Sequence, residues 1–413
     1  MTEPKGSGNG EGALRALDDT RVLLRGVRPA REVTSEVGPR CFLHSGPPLE
    51  LEEIPGPMRG AIEGALVFEG EAGDLNSAAE IVDAREIELL SCHHAGGVGA
   101  MAGIVTPSMP VVVGENDAGS PRTVFSPVNE GLGQALRFGS NDEATLTRLR
   151  WITDVAAPVL DAAVQAADEI DLTEVVAEGL RRGDECHNRN VATSAMLITR
   201  LAPAISRTAS SPEVAAEVFE FAAGNRHFGL PFSMVTGKGI ALAAGDIEGS
   251  SLVTAISGNG RRLGIRVSAT GDEWFYGPAP LGDARYFEGY SAEDAQPTMG
   301  DSMISETVGF GGFALTAAPA ITSFVGGTVA ESRKLVEEMR SITVGESSRF
   351  LIPEEEFRGT PMGIDVHAVA EAGVTPVINN GLAHKDPGRG QVGAGITRLP
   401  LEPFVAASEA LGG

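Results

Sequence analysis

Apolar and polar positions change period along the chain, and the changes divide it. From Arg21 the run RVLLRGVRPA is a short apolar block closed by Gly26 and Pro29. GALVFEG near residue 64 is a second, after the turn-rich PGPMRG, and MPVVVGEN is a third. Short apolar blocks bounded by glycine and proline predict buried strands. The third delivers Glu115, Asn116 and Asp117 to a loop. From Asn141 the period becomes helical: Leu146, Leu149, Ile152, Val155, Leu160 and Val164 repeat at three and four residues, with Ser140 or Asn141 as cap and Pro158 as the kink. Asp171 caps a second helix and VATSAMLITRLAPAI carries a third. In SPEVAAEVFEFAAG, Ser211 caps, Pro212 takes the first helical position and Gly224 ends a fourth.

Beyond residue 224 the period returns to two in SLVTAIS, RLGIRVSA and EWFYG, with Gly258, Asn259 and Gly260 as the hairpin turn. Helices are expected again over Ser305 to Ala318 and Val329 to Met339. VTPVIN reads as a strand whose end releases the loop NNGLAHKDPGRGQVGAG. The pattern predicts an α+β protein, irregular and multi-domain, with mixed and antiparallel sheets and a small helical domain. The expected division is a flexible tail over 1–15, an N-terminal α/β domain over 16–140, a helical section over 141–224 and a C-terminal α+β domain over 225–413.

Charge narrows the partners. The 413 residues carry a formal net charge of -24, which opposes nucleic acid and anionic membranes and favours small molecules or other proteins. No apolar run reaches the roughly 20 residues of a membrane span. Three cysteines make no disulfide framework and no secretory leader opens the chain, so a cytoplasmic location is expected. The 53 glycines far exceed the needs of turns and suggest sites lined by backbone.

Four separate segments combine glycine with histidine, acid or amide groups. They are Cys92 to Gly97 with Glu115, Gly183 to Asn190, Gly224 to His227 with Lys238 beyond, and Asn379 to Lys385 with Arg389 and Gln391. Five of the seven histidines, His93, His94, His187, His227 and His384, lie in them. No Cys-x-x-Cys or His-x-x-x-His spacing accompanies them. A zinc site is therefore disfavoured, while Glu115, Asp184 and Glu185 are the candidate carboxylates for a divalent magnesium ion. Cys92 or Cys186 beside an imidazole is a candidate nucleophile, against the plainer reading of a small buried thiol. Anion binding explains the residue types best, because glycine-rich turns present N–H groups and arginines form paired contacts with carboxylate or phosphate.

The strings GPMRGAIEGALVFEG, CHHAGGVGAMAGIVTPSMPVVVGEN, GDECHNRN, GNRHF, ISGNGRRLGIRVSATGDEWFYGPAP and INNGLAHKDPGRGQVGAG resemble the YlbE-like family, over about Arg21 to Arg398. That resemblance implies an irregular α+β fold with a small helical domain. It also implies a subunit of an oxamate carbamoyltransferase of allantoin breakdown, working with an FdrA-like partner of acyl-CoA-synthetase type and a third subunit. The implied reaction is phosphorolysis of a ureido acid, oxalurate and phosphate giving oxamate and carbamoyl phosphate. The alternatives are a non-catalytic scaffold in such a complex and an independent amidohydrolase. For the transfer, His93 or His94 and His187 are expected to supply a proton or an oxyanion donor. Asn188, Asn225 and Asn380 would orient the ureido group. Arg189, Arg226 and Lys385, with His227 and His384, would hold carboxylate and phosphate.

Overall fold

The computed structural model describes residues 8–412, and the first seven residues of the expected tail lie outside them. The rest of the tail is not loose chain: Gly8–Asp19 is a helix whose Ala13 and Leu17 are buried.

The architecture is α+β, with small sheets gathered around one buried helix, Leu230–Ala243. The first sheet is antiparallel, with Pro110–Asn116 between Val22–Pro29 and Thr123–Pro127. The second runs Met299–Gly300, Val253–Asn259, Arg262–Val267 and Phe275–Pro278, its central hairpin turning at Gly260 with φ 81°. A parallel pair joins Cys41–His44 to Glu88–Ser91. The hairpins Thr343–Ile352 with Arg358–Ile364, and Val377–Ala383 with Gln391–Arg398, complete the strands, Asp283–Tyr286 adding an edge to the latter.

The central helix has no polar face: every residue from Leu230 to Ala241 is buried. Glycine lets it come so close. A Cβ on Gly239 would lie 2.6 Å from a Val22 methyl, and one on Gly114 of the first sheet 2.4 Å from a Val235 methyl. Its side chains join the largest core, which draws on residues from Ala13 to Met362.

The helical section follows its sequence signals. Glu143–Trp151 is capped by Asp142, one residue beyond the expected cap. A π turn over Ile152–Ala156 then leads into Ala157–Ala166, so the irregular turn lies just before Pro158. Asp171 caps Leu172–Arg181, and Ser211 with Pro212 opens Pro212–Gly224.

Three expectations are corrected. GALVFEG is no strand: it is the end of the helix Gly56–Glu69, opened by Pro57 and closed by Gly70 at φ 77°, and buried on most sides, so its apolar run has no helical gaps. Ser305 to Ala318 holds only the short helix Ile304–Thr307 followed by 3-10 turns, because Gly309 and Gly311 adopt positive φ. Asn379 and Asn380 lie within the strand Val377–Ala383, so the loop shrinks to residues 384–390. No helix among the described residues is long and apolar enough to cross a membrane.

Candidate functional site

The central helix separates two polar clusters, and part of the candidate residues divides between them.

At the C-terminal end, His93 and His94 lie in the turn that follows the strand Glu88–Ser91. His93 is buried, and its Nδ1 stands 3.2 Å from Lys238 Nζ on the central helix. On the other side of the ring, Nε2 approaches Asp301 Oδ1 at 3.5 Å without a hydrogen bond. Asp301 is fixed by the N–H groups of Gly46 and Gly99, each 2.8 Å away, and by the Ser257 hydroxyl. Here glycine is required: a Cβ on Gly99 would meet Gly103 Cα at 2.5 Å, so the loop folds back on itself to offer its amide. His94 accepts a hydrogen bond at Nε2 from Trp274 Nε1, 3.1 Å, which places its own proton on Nδ1.

These residues open onto a cavity of about 290 Å³ lined by His93, His94, Arg122, Lys238 and Arg266, with Asp246 and Asp272 at its wall. Lys238 is 2% exposed and makes no ion pair among the described residues. Burial, then the neighbouring Arg266, lowers its pKa to about 7. Burial, with Lys238 next, keeps His93 neutral well below the usual histidine range. Asp301 is pushed up to about 6 by burial, against its three hydrogen bonds.

At the N-terminal end the cluster is closed. Cys186, at φ 65°, turns the loop so that His187 points inward. His187 Nδ1 lies 2.9 and 3.0 Å from the two oxygens of Glu306. Burial alone would lower its pKa, yet the Glu306 carboxylate outweighs it and holds the imidazole above its usual value. Glu185, pushed up to about 7 by burial, accepts from the amides of His187 and Arg189. Asn188 donates to Asn379, and its carbonyl receives His227 Nε2 at 2.9 Å. Burial, then Arg137, takes His227 down to about 3. Asn225 ties in through the Asn129 carbonyl at 2.8 Å.

The remaining candidates sit elsewhere. Asn380 lies between Thr298 and Thr397. Arg189 binds the Gly183 carbonyl, and Arg226 is exposed on a shallow surface groove. His384 packs on Tyr290 at the tip of its hairpin, next to the exposed Lys385. The carboxylates considered for magnesium are engaged otherwise. Glu115 pairs with Arg25, Asp184 caps the helix Val191–Thr208 through Val191 and Thr193, and Glu185 holds its own loop. No group of three metal-binding side chains occurs among the described residues. Sequence reasoning passed over Asp301, Arg266, Trp274, Glu306 and Arg137, which belong to no glycine-histidine segment. Only the strand pairing and the segment 299–312 bring them in.

The family model for oxamate carbamoyltransferase subunit AllG matches residues 87–302, more than half the chain. The oxamate carbamoyltransferase subunit AllG of Escherichia coli K12 is 43% identical over 388 residues, covering 93% of this chain and 92% of its own. The chain belongs to the AllG family. A second Escherichia coli relative, the uncharacterized protein YahG, is 41% identical over 96% of this chain and 84% of its own. A crystal structure of a conserved protein of unknown function from Enterococcus faecalis V583 has the same fold, with a TM-score of 0.94, 42% identity and coverage of 98% and 97% of the two chains.

Proposed function

We propose that this AllG-family chain carries the anion-binding part of a carbamoyl-transfer site, in the cavity formed by His93, His94, Arg122, Lys238 and Arg266. The observation that carries the reading is Lys238: a buried amine, without a carboxylate partner, opening onto a cavity sized for a small molecule. The reaction is phosphorolysis of a ureido acid, oxalurate by default. A phosphate oxygen bonds to the carbamoyl carbon, the bond from that carbon to the amide nitrogen breaks, and the proton of hydrogen phosphate ends on that nitrogen. Oxamate and carbamoyl phosphate result, with atoms and charge conserved. Lys238 and Arg266 hold the oxyanion, and His93 with Lys238 is the proton path. His94, its tautomer set by Trp274, offers a donor to the developing oxyanion.

The chain acts in this reading as one subunit of an oligomeric cytoplasmic complex, beside an FdrA-like partner and a third subunit, in the nitrogen catabolism of allantoin. The test is formation of carbamoyl phosphate from oxalurate and phosphate by the chain alone and by the assembled subunits. Lys238→Met and His93→Gln each reduce turnover about 100-fold or more, the range of one acid-base group. Full turnover in both variants would make the chain a scaffold. Oxalurate cleavage that continues without phosphate would make it an amidohydrolase.

A further inference from the structure

We propose that the edge strand Asp283–Tyr286 is where two copies of this chain join, antiparallel about a two-fold axis, into one continuous sheet. Three observations carry this. First, the edge is open. The strand pairs on one side with Gln391–Arg398 and has no strand neighbour on the other. Phe287 donates its N–H to the Val392 carbonyl at 2.9 Å. Because an antiparallel ladder alternates, residues 283, 285 and 287 bond inward, while Gly282, Ala284 and Tyr286 turn their N–H and C=O groups outward. No isolated bridge among the described residues takes these groups up. Second, only its four-residue length guards the edge. Lysine, proline and bulges, the other devices that blunt an open strand, are absent from residues 281–287, LGDARYF. Among the described residues, the exposed large side chains of Tyr276, Leu281, Phe287 and Tyr290 all lie in or beside this segment. Apolar side chains gathered beside unpaired backbone mark a docking edge.

Third, the segment is complementary to itself. Bonding the outward groups of Gly282, Ala284 and Tyr286 to those of a second copy requires a register that sets even-numbered residues against one another. With Ala284 against Ala284, Gly282 faces Tyr286, Asp283 faces Arg285 and Leu281 faces Phe287, each pair occurring twice by symmetry. The two neighbouring registers set Asp283 against Asp283 or Arg285 against Arg285, and like charges directly opposed destabilise a sheet. Leu281, Asp283, Arg285 and Phe287 alternate along the segment and are its exposed positions. Asp283 shares its face of the sheet with Ile396, its partner in the ladder. That face carries a groove of about 650 Å³ lined by Leu281, Val325, Leu335, Val377 and Ile396. Phe287 of the second copy then lies at the mouth of the groove, beside Leu281. Arg285 also has an interaction within its own chain, and the five N–H donors of a guanidinium can serve both. None of the paired residues lines the cavity at Lys238, so dimer formation and turnover are separate readouts.

The experiment measures the mass of the full chain by analytical ultracentrifugation from about 1 to 100 μM, the range in which a small interface dissociates. The wild type passes from monomer to dimer as concentration rises, and a chain that stays monomeric throughout overturns the proposal. Asp283→Arg and Arg285→Asp each weaken the dimer tenfold or more. An equimolar mixture of the two variants, in which every contact between positions 283 and 285 again joins opposite charges, pairs as tightly as the wild type. Undiminished dimers in either variant, or a mixture that stays monomeric, overturn the proposal. Ala284→Pro removes an outward N–H that the chain's own ladder does not use. It abolishes the dimer, and a dimer that survives it joins by another surface and overturns the proposal. Should Arg285→Asp fail to fold, Ala284→Cys reads the same axis. Opposed residues of a hydrogen-bonded pair lie about 5.5 Å apart at Cα, within disulfide reach, so oxidation links two copies at position 284, and a chain that forms no such link counts against the proposal as decisively. Pairing of this edge only with a different protein overturns it as well.

Discussion

The two ends of the helix Leu230–Ala243 use the same residue types to opposite effect. At the C-terminal end a lysine is buried without an ion-pair contact among the described residues and faces a cavity, and the histidine beside it is kept neutral. At the N-terminal end a histidine is buried against two acids, and the Glu306 carboxylate holds its pKa above the usual value. Burial is common to both, so the partner decides. An unpaired buried amine is stabilised by shedding its proton or by gaining an anion, whereas a paired imidazolium is already neutralised and does neither. The first is the end at which we propose a ligand that brings negative charge. The second ties its imidazole to a carboxylate inside the fold.

Glu306→Ala breaks the contrast hardest. Removing one partner of a buried pair costs about 3–5 kcal/mol, and the Glu306 oxygens also hold the amides of Gly312 and Asn379. Because the folded-state pKa of His187 is raised, the pair's contribution is fully present below the unfolded value and is lost as pH rises through the folded one. Denaturant melts of Glu306→Ala against wild type should therefore show a larger loss at pH 5.5 than at pH 8.5, as order-of-magnitude choices either side of an ordinary histidine near 6.5. A loss that does not change with pH would mean that His187 is neutral in the fold.

Lys238→Met, by contrast, removes a group that burial disfavours. Turnover falls about 100-fold or more, yet the chain melts no lower than wild type. The folded-state pKa of Lys238 is lowered, so the penalty for burying its charge is fully present below about 7 and fades as pH climbs toward the ordinary 10.5. Any gain in melting temperature is thus largest in acid. A variant that unfolds while the wild type stays folded would place Lys238 among the structural pairs and erase the distinction between the ends.

A third measurement works on the ligand side. Sulfate does not titrate near neutrality, so its affinity follows the protein alone. With Lys238 charged only below about 7 in the free chain, sulfate affinity falls as pH rises above 7, up to tenfold per unit, and binding takes up a proton. Calorimetry in buffers of different ionisation heat reads that proton. Proton uptake that persists in Lys238→Met would assign it to another group.

Much of the scaffold was legible because it is local. Asp171, Ser211 and Pro212 mark helix starts through contacts made within three residues, and the hairpin at Gly260 announces itself by its turn. The central helix was not legible, since Pro231, Gly237 and Gly239 resemble loop residues until Val22 and Ile304 are seen to need the space. The site was legible only in its histidine half. His93 and Lys238 stood out among glycines. Asp301, over two hundred residues from His93, is brought to it by the pairing of Met299–Gly300 with Gly258 and Asn259. Histidine clustering also merged the two ends into one, because sequence spacing carries no sign of which wall of a helix a residue faces.

The smallest effect tests the finest part of the comparison, the hydrogen bond that sets the His94 tautomer. Trp274→Phe keeps an aromatic ring near His93, whose centroid lies 5.4 Å from that of Trp274, and removes the indole donor to His94 Nε2. One neutral hydrogen bond contributes about 1 kcal/mol, and His94 is exposed, so stability should fall by that much or less. Turnover should fall several-fold through the maximal rate, with the Michaelis constant for phosphate little changed, because in the proposed mechanism Lys238 and Arg266 hold the anion and His94 acts on the oxygen that develops charge. A rise in that constant at constant maximal rate would instead make His94 part of the anion cradle, and the oxyanion donor would have to be sought elsewhere on the cavity wall.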